Sequence, residues 1–419
     1  MDFWALSSIA LLAVCILWRS TFGFALVAAV QQVFRVAGLT MLADSGQAQY
    51  STAWMFLASV VAFLTGYFTS EFFLRNLPAR PTRALAPLRE SAVWAIVLVA
   101  GALGTYHLFV GGLPIFSDNI ETERFDFSSS GLFGIPGRMY LFGIPIAWVI
   151  ASANARALGM AWPTYRPWRV ATAALVLTTL LSGFKGDAMS LVLTIVALYI
   201  IISGTRITLG EMVRRFWWTG ALAVGYFAAV AALYPTYSAS GQSVWVQLSR
   251  RLTTVPAEPV AYAIEGYAHI SANVPVFSDL GYFIRKYSGN EAPGSYSFER
   301  AVSASMIGVD PASSAWTTPV TVSGFAEAYV SFGFAIALIM ILLAGVALSY
   351  FESAQQRSTT GLVARAVFGL MITGWLAKGG LAYHAVNYVA VVAFLAAIGT
   401  CAAVLLPGQS HRRSIASFP

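Results

Sequence analysis

Ionisable side chains are scarce in this sequence, and those beside its apolar stretches are where chemistry is to be sought. Arg124 lies in Gly-Gly-Leu-Pro-Ile-Phe-Ser-Asp-Asn-Ile-Glu-Thr-Glu-Arg-Phe-Asp-Phe127, among the carboxylates Asp118, Glu121, Glu123 and Asp126. It reads either as part of a solvated loop with local ion pairs or as a cation kept for an anionic ligand. Lys185 and Asp187 occupy the turn Leu181-Ser-Gly-Phe-Lys-Gly-Asp187, where two apolar stretches meet with almost no loop. Lys185 there either snorkels to the membrane interface or serves a site. Arg250, Arg251, Arg285, Lys286 and Arg300 share one long polar segment. A guanidinium grips phosphate oxygens bidentately, so several of them on one cavity would suit a lipid pyrophosphate, while others anchor amphipathic helices to headgroups.

Two further groups have the chemistry of a base. Glu327, in Thr321-Val-Ser-Gly-Phe-Ala-Glu-Ala-Tyr-Val-Ser-Phe-Gly333, stands about one turn inside a strongly apolar helix, where an unpaired carboxylate is costly and a partner is expected. His384 closes Lys378-Gly-Gly-Leu-Ala-Tyr-His384 at the mouth of the last apolar stretch, where a histidine is either an interfacial residue or a catalyst. His107 and His269 have weaker claims, and histidines so scattered, without ligand spacing, point away from a metal site. Trp245, Tyr262, Tyr267, Tyr282, Tyr287, Tyr296, Trp316 and Tyr329 supply aromatic faces for sugars or for membrane anchoring.

The elements that must hold these residues are membrane helices. The chain has 419 residues, of which 58% are hydrophobic and only 10% charged, a balance that excludes an ordinary soluble domain. Apolar stretches fall at 3–18, 21–43, 52–72, 92–112, 139–154, 168–184, 187–204, 216–235, 323–350, 362–378 and 384–406. They predict an all-α polytopic membrane protein of about eleven spans, with no sign of the ~10-residue alternating strands of a β-barrel. Gln31, Gln32 and Arg35 interrupt the second stretch, so the first two stretches are expected as spans or as a tilted or re-entrant hairpin. The first stretch lacks a basic start and a small-residue cleavage site and reads as a mature span. Cys15 and Cys401, in apolar stretches near opposite ends, make no disulfide framework.

Alternate loops hold most of the arginines: Arg19, Arg75, Arg80, Arg83, Arg89, Arg156, Arg166, Arg169, Arg206, Arg214, Arg215, Arg357, Arg412 and Arg413. By the positive-inside rule this side is cytoplasmic, which puts the N-terminus outside and the C-terminus inside. The net charge of +7 is thereby a statement about topology and calls for no nucleic-acid partner. The opposite side carries the loop 112–138, the Lys185 turn, the segment 238–321 and the turn around Lys378, with most of the acids. The segment 238–321 is too long for a passive connection and is expected to form short helices, among them 244–252 and 259–269, on the outer face of a single membrane domain spanning 1–419.

Gly-Gly-Leu-Pro-Ile-Phe116 followed by Arg124, the turn Leu181-Ser-Gly-Phe-Lys-Gly, and Gly324-Phe-Ala-Glu-Ala-Tyr-Val-Ser-Phe-Gly333 before a long apolar helix resemble the Wzy-type O-antigen and capsule repeat-unit polymerases. The resemblance covers the order of elements over most of the chain, including the large outer loop in its second half. It implies an inner-membrane glycosyltransferase, related in architecture to the O-antigen ligases. Such an enzyme joins oligosaccharide repeat units carried on undecaprenyl pyrophosphate at the outer face, in company with membrane lipid, a flippase and a chain-length regulator. Some members carry, in two outer loops, an arginine and a glycine with ten residues between them; here the position that this spacing requires after Arg124 is Ile135, between Gly134 and Gly137, Arg250 and Arg251 do not meet the spacing either, and the short mid-chain turn has Lys185 where an arginine is frequent.

The reaction so implied needs an acceptor hydroxyl, a base and a means of holding a pyrophosphate leaving group. Arg124, Lys185, Arg250 and Arg251, with Arg285 and Arg300, are the expected pyrophosphate ligands. Glu327, ahead of His384, is the expected base, and Trp245, Tyr282 and Tyr329 are the sugar platforms; no cofactor and no divalent metal is then required. Ligation of a finished glycan and transport of lipid-linked sugars stand as alternatives, although transport would favour internal repeats and broken helices near mid-membrane, which the sequence does not display. Alanine at Arg124 and at Lys185 is expected to reduce polymer length and yield without unfolding the protein. Unchanged glycan profiles on a gel, at normal membrane abundance, would remove both from the clamp.

Overall fold

A computed structural model describes residues 23–76, 85–110, 112, 113, 116, 134–181, 195, 197–199, 201, 202, 209–232, 243–267, 270, 280, 281, 284, 298–309, 320–353 and 358–406. Among the described residues the regular structure is helical: α1 Phe24–Asp44, α2 Tyr50–Arg75, α3 Glu90–Val110, α4 Ile135–Ala157, α5 Arg166–Leu181 and α6 Leu209–Ala232. Three short helices follow, α7 Val244–Leu252, α8 Thr254–Glu265 and α9 Phe298–Met306. The chain continues as α10 Gly324–Phe332, α11 Phe334–Ser353, α12 Thr359–Lys378 and α13 Leu381–Leu405. Seven of these, α1 to α4 and α11 to α13, are long and apolar enough to cross a membrane, which makes the chain a polytopic α-helical membrane protein.

The stretch 3–18 lies outside the described residues, as does most of 187–204. The stretch at 168–184 is the 16-residue α5, and that at 216–235 begins earlier, at Leu209, in α6. The expected single span 323–350 is instead two helices, because Gly333 takes φ 79° between α10 and α11, a left-handed backbone that ends the helix. Gln31, Gln32 and Arg35 do not break α1, which runs unbroken for 21 residues. The helix expected at 259–269 starts at Thr254, with Pro256 in its first turn, where a missing N–H costs nothing, and it ends at Glu265.

Hydrogen bonds between helix ends sort the bundle into two ends. Arg89 donates to the Ala403 carbonyl, Leu88 N–H to Asn154 Oδ1 (2.7 Å) and Thr359 Oγ1 to the Ala86 carbonyl (2.6 Å). Ala25 N–H and Tyr67 Oη both donate to the Glu352 carboxylate (2.9 and 2.8 Å). These contacts collect the starts of α1, α3 and α12 with the ends of α2, α4, α11 and α13. This is the end that the arginine count of the sequence marks as cytoplasmic. At the opposite end, Glu265 of α8 accepts from Gln49 N–H and Thr52 Oγ1 (both 2.7 Å), fastening the short helices to the α1–α2 turn.

Small residues set the closest helix contacts, as expected where lipid tails compete with side chains for apolar surface. Along the α2–α11 pair, Gly66 faces the Leu342 carbonyl and Gly345 faces the Phe63 carbonyl, with no room for a Cβ at either position. Gly38 of α1 lies in the same way against the Thr253 carbonyl and Ala257 at the start of α8. Phe24, Phe56, Phe63, Trp148 and Phe325 fill the interior between these crossings. Gly66→Leu is expected to push α2 and α11 apart and to destabilise the protein by about 1–3 kcal/mol, read as a lower Tm in detergent. Gly225→Leu on α6, where a Cβ meets nothing within 4 Å, serves as the control and is expected to leave Tm unchanged.

Candidate active site

At the end of the bundle opposite Arg89, α12 and α13 form a helical hairpin closed by only two residues, Gly379 (φ 82°) and Gly380 (φ 68°). Two consecutive left-handed residues are why glycine stands at both positions. The segment before α10 is tied to this turn by Val322 N–H, which donates to the Lys378 carbonyl (3.1 Å). The hydroxyl of Ser323 then caps α10 by accepting from Ala326 N–H (3.1 Å), which sets Glu327 in the first helical turn.

Glu327 has the partners that its position demands. One carboxylate oxygen accepts from Trp375 Nε1–H (2.8 Å), and the Leu381 N–H is shared between both oxygens (3.1 and 3.2 Å). The carboxylate thus bridges the last turn of α12 and the first residue of α13. Gly324 lies flat on the Trp375 ring, and a Cβ there would come within 2.8 Å of it.

His384, one turn into α13, is buried, and its own N–H donates to the Gly380 carbonyl (2.9 Å). Phe142 (6.4 Å, edge-on), Tyr383 (5.5 Å, edge-on) and Tyr388 (6.4 Å) surround its ring, and Gly374 admits the ring against α12 with Cε1 3.0 Å from where a Cβ would stand. The Nδ1 atom of His384 is buried without a hydrogen-bond partner. Phe142 reaches this cluster from a π-helical turn, Met139–Gly143, just before Pro145. Proline supplies no N–H for the Leu141 carbonyl, and the wider turn absorbs that loss.

The same turn of α4 begins at Arg138, whose Nε–H donates to Asn387 Oδ1 (2.7 Å), while Asn387 Nδ2 donates to the Tyr383 carbonyl (2.8 Å). Arg138 is half-buried, and together with Lys378 it brings positive charge to the turn that holds Glu327 and His384. His107 packs over Gly137, where a Cβ would stand 3.3 Å from its ring, and beside the Tyr140 ring. Guanidinium, ammonium, imidazole and carboxylate therefore converge on the mouths of α4, α10, α12 and α13. This set can neutralise an anion and accept a proton.

Of the residues expected from sequence, Glu327 and His384 meet at this turn. Tyr329 faces the other way, its ring 5.1 Å from that of Tyr267 and 6.2 Å from that of Phe325, joining α10 to the end of α8. Arg250, exposed, and Arg251, half-buried, end α7, and Arg300 is on α9; these short helices form a layer resting on α1 and α10. Arg124, Lys185, Tyr282 and Arg285 lie outside the described residues, and Trp245 belongs to α7. Sequence reasoning passed over Arg138 as the end of a loop and Asn387 as part of an apolar span. The available signal was an asparagine three residues beyond a histidine, on the same face of one helix.

Compared with protein-family models, curated proteins and solved structures, the chain finds no match. Its function is therefore argued from the site. Arg138 and Asn387 are expected to act as a unit that fixes the α4 mouth against α13. Alanine at each, alone and together, is expected to give a coupling of about 0.5–3 kcal/mol in thermal unfolding, whereas strictly additive losses would show that the bond contributes nothing.

Proposed function

We propose that this chain is a membrane glycosyltransferase that polymerises undecaprenyl-pyrophosphate-linked oligosaccharide repeat units at the outer face of the inner membrane. The observation that carries the reading is the meeting of Arg138, Lys378, Glu327 and His384 at one end of a membrane bundle, at the end opposite the arginine-rich loops. The motifs around Phe116, Lys185 and Glu327 that resemble the repeat-unit polymerases support it, as does the layer of α7 to α9 set over the same end.

In this reaction an acceptor hydroxyl of one repeat unit attacks the anomeric carbon of another. The new C–O bond forms as the bond to the lipid pyrophosphate breaks, the hydroxyl proton passes to a base, and the pyrophosphate leaves as an anion on its lipid. The leaving group is already good, so the protein's task is to neutralise its charge and to aim the hydroxyl. Arg138 and Lys378 supply positive charge beside the turn, with the arginines of the outer segment and Lys185 as the wider clamp. Glu327 and His384 are the bases within that turn, the first a carboxylate held by Trp375 and Leu381 and the second with a ring nitrogen that has no hydrogen-bond partner.

Cells lacking the gene are expected to carry single repeat units at the outer face and to lack long chains, and the wild-type gene is expected to restore them. Long chains accumulating on the undecaprenyl carrier would make the protein a ligase instead, and repeat units held at the cytoplasmic face would make it a transporter. Glu327→Gln and His384→Ala, at wild-type abundance, are expected to separate the two bases. The variant that loses about 10²–10⁴-fold in kcat marks the residue that takes the proton, and full activity of both would remove the turn from the chemistry.

A further inference from the structure

Arg35 is a full charge in the middle of α1, only 5% exposed, where a guanidinium in a membrane bundle is expensive. Its two terminal nitrogens go to α12: one donates to the Leu376 carbonyl (3.4 Å) and the other to the Ala377 carbonyl. One turn earlier on α1, Gln32 Nε2 donates to the same Leu376 carbonyl (2.7 Å). These carbonyls are among the last four of α12, which no helix can satisfy by itself and which carry the negative end of its dipole.

Each of those four carbonyls has a named donor. Trp375 O receives Gly379 N–H (2.8 Å), Leu376 O receives Gln32 and Arg35, Ala377 O receives Arg35, and Lys378 O receives Val322 N–H (3.1 Å). Had α12 continued, Gly380 N–H would have gone to Leu376 O and Leu381 N–H to Ala377 O. Instead, Leu381 N–H is taken by Glu327. Arg35 and Glu327 thus satisfy the two halves of one hydrogen bond that the hairpin gives up, the first supplying the donor and the second the acceptor. The helix bearing Arg35 also seats the outer layer, through Gly38 against the Thr253 carbonyl and through the α1–α2 turn held by Glu265.

We infer that Arg35, seconded by Gln32, is a positioning residue: it caps α12 from within the bundle and so fixes where Lys378, Leu381 and His384 stand relative to Glu327. Its consequence for catalysis rests on the proposed polymerase reading, whereas the cap itself does not. The test compares purified wild type, Arg35→Met, Arg35→Lys and Gln32→Leu in nanodiscs. The first readout is backbone amide exchange over 376–384, and the second is polymerisation of lipid-linked repeat units.

Arg35→Met is expected to speed exchange across 376–384 about tenfold while the start of α3 exchanges as in wild type, and Arg35→Lys to restore part of the protection. In polymerisation, kcat is expected to fall at least tenfold with KM for the lipid-linked donor within twofold. If Arg35→Met does not accumulate, Gln32→Leu carries the test, with exchange about threefold faster over the same peptide. Unchanged exchange at 376–384 in the variant that folds would overturn the cap. Faster exchange with unchanged kcat would overturn the link to catalysis, and a wild type that forms no polymer would sink the polymerase reading while leaving the exchange result to decide on Arg35.

Discussion

Two helices that reverse direction over two residues leave a set of backbone groups that neither helix can satisfy. At the end of α12 the last carbonyls face into the bundle, and at the start of α13 the Leu381 N–H has lost the carbonyl it would have met in a continuous helix. In water these groups would be solvated at little cost, but inside a membrane protein each unpaired one costs several kcal/mol, of order the whole stability margin when summed. The bundle answers with side chains from distant parts of the sequence, a guanidinium and an amide from α1 and a carboxylate from α10. Glu327 is thereby both a group that completes the turn and one of the charged groups of the site.

The remainder of the architecture holds those donors and acceptors at the right height. The glycine contacts of α2 with α11 bring the two backbones close together, and α11 runs from Phe334 past Glu352. There, the Glu352 carboxylate accepts the Ala25 N–H and so pins the far end of α1. With α1 fixed at its start by Glu352 and at its outer turn by Glu265, Arg35 has little freedom to move along the bundle axis. The π-helical turn of α4 completes the arrangement by presenting Arg138 and Phe142 to the first turns of α13. A fixed frame around a polar turn is what the proposed reaction on a bulky lipid-linked substrate calls for, since small displacements of the reacting groups are costly.

How much of this could be read in advance differs between fold and site. The long apolar stretches that became α1 to α4, α12 and α13 were legible because crossing a membrane is a local demand on length and hydrophobicity. The division of 323–350 into α10 and α11 was not, because Gly333 is one of many glycines in apolar surroundings and nothing local shows which of them turns left-handed. Glu327 and His384 stood out as ionisable groups beside apolar helices, and the need of Glu327 for a partner was evident. The identity of that partner, an indole nitrogen and an amide some fifty positions away, was not. Arg35 was visible only as an interruption of a span, and Arg138 only as the last residue of a loop.

By itself the sequence determined that this chain carries membrane-spanning helices, whereabouts along the chain the long ones among the described residues lie, and which loops carry the positive charge. Those properties follow from the transfer free energy of residues near one another along the chain, which every neighbour contributes in the same direction. Only the tertiary structure decided which polar residues meet. That outcome depends on the rotation of each helix about its axis and on the height of each end, set by glycine contacts and capping bonds between segments hundreds of residues apart. A buried donor must find an acceptor somewhere, and sequence states that requirement without stating where it is met.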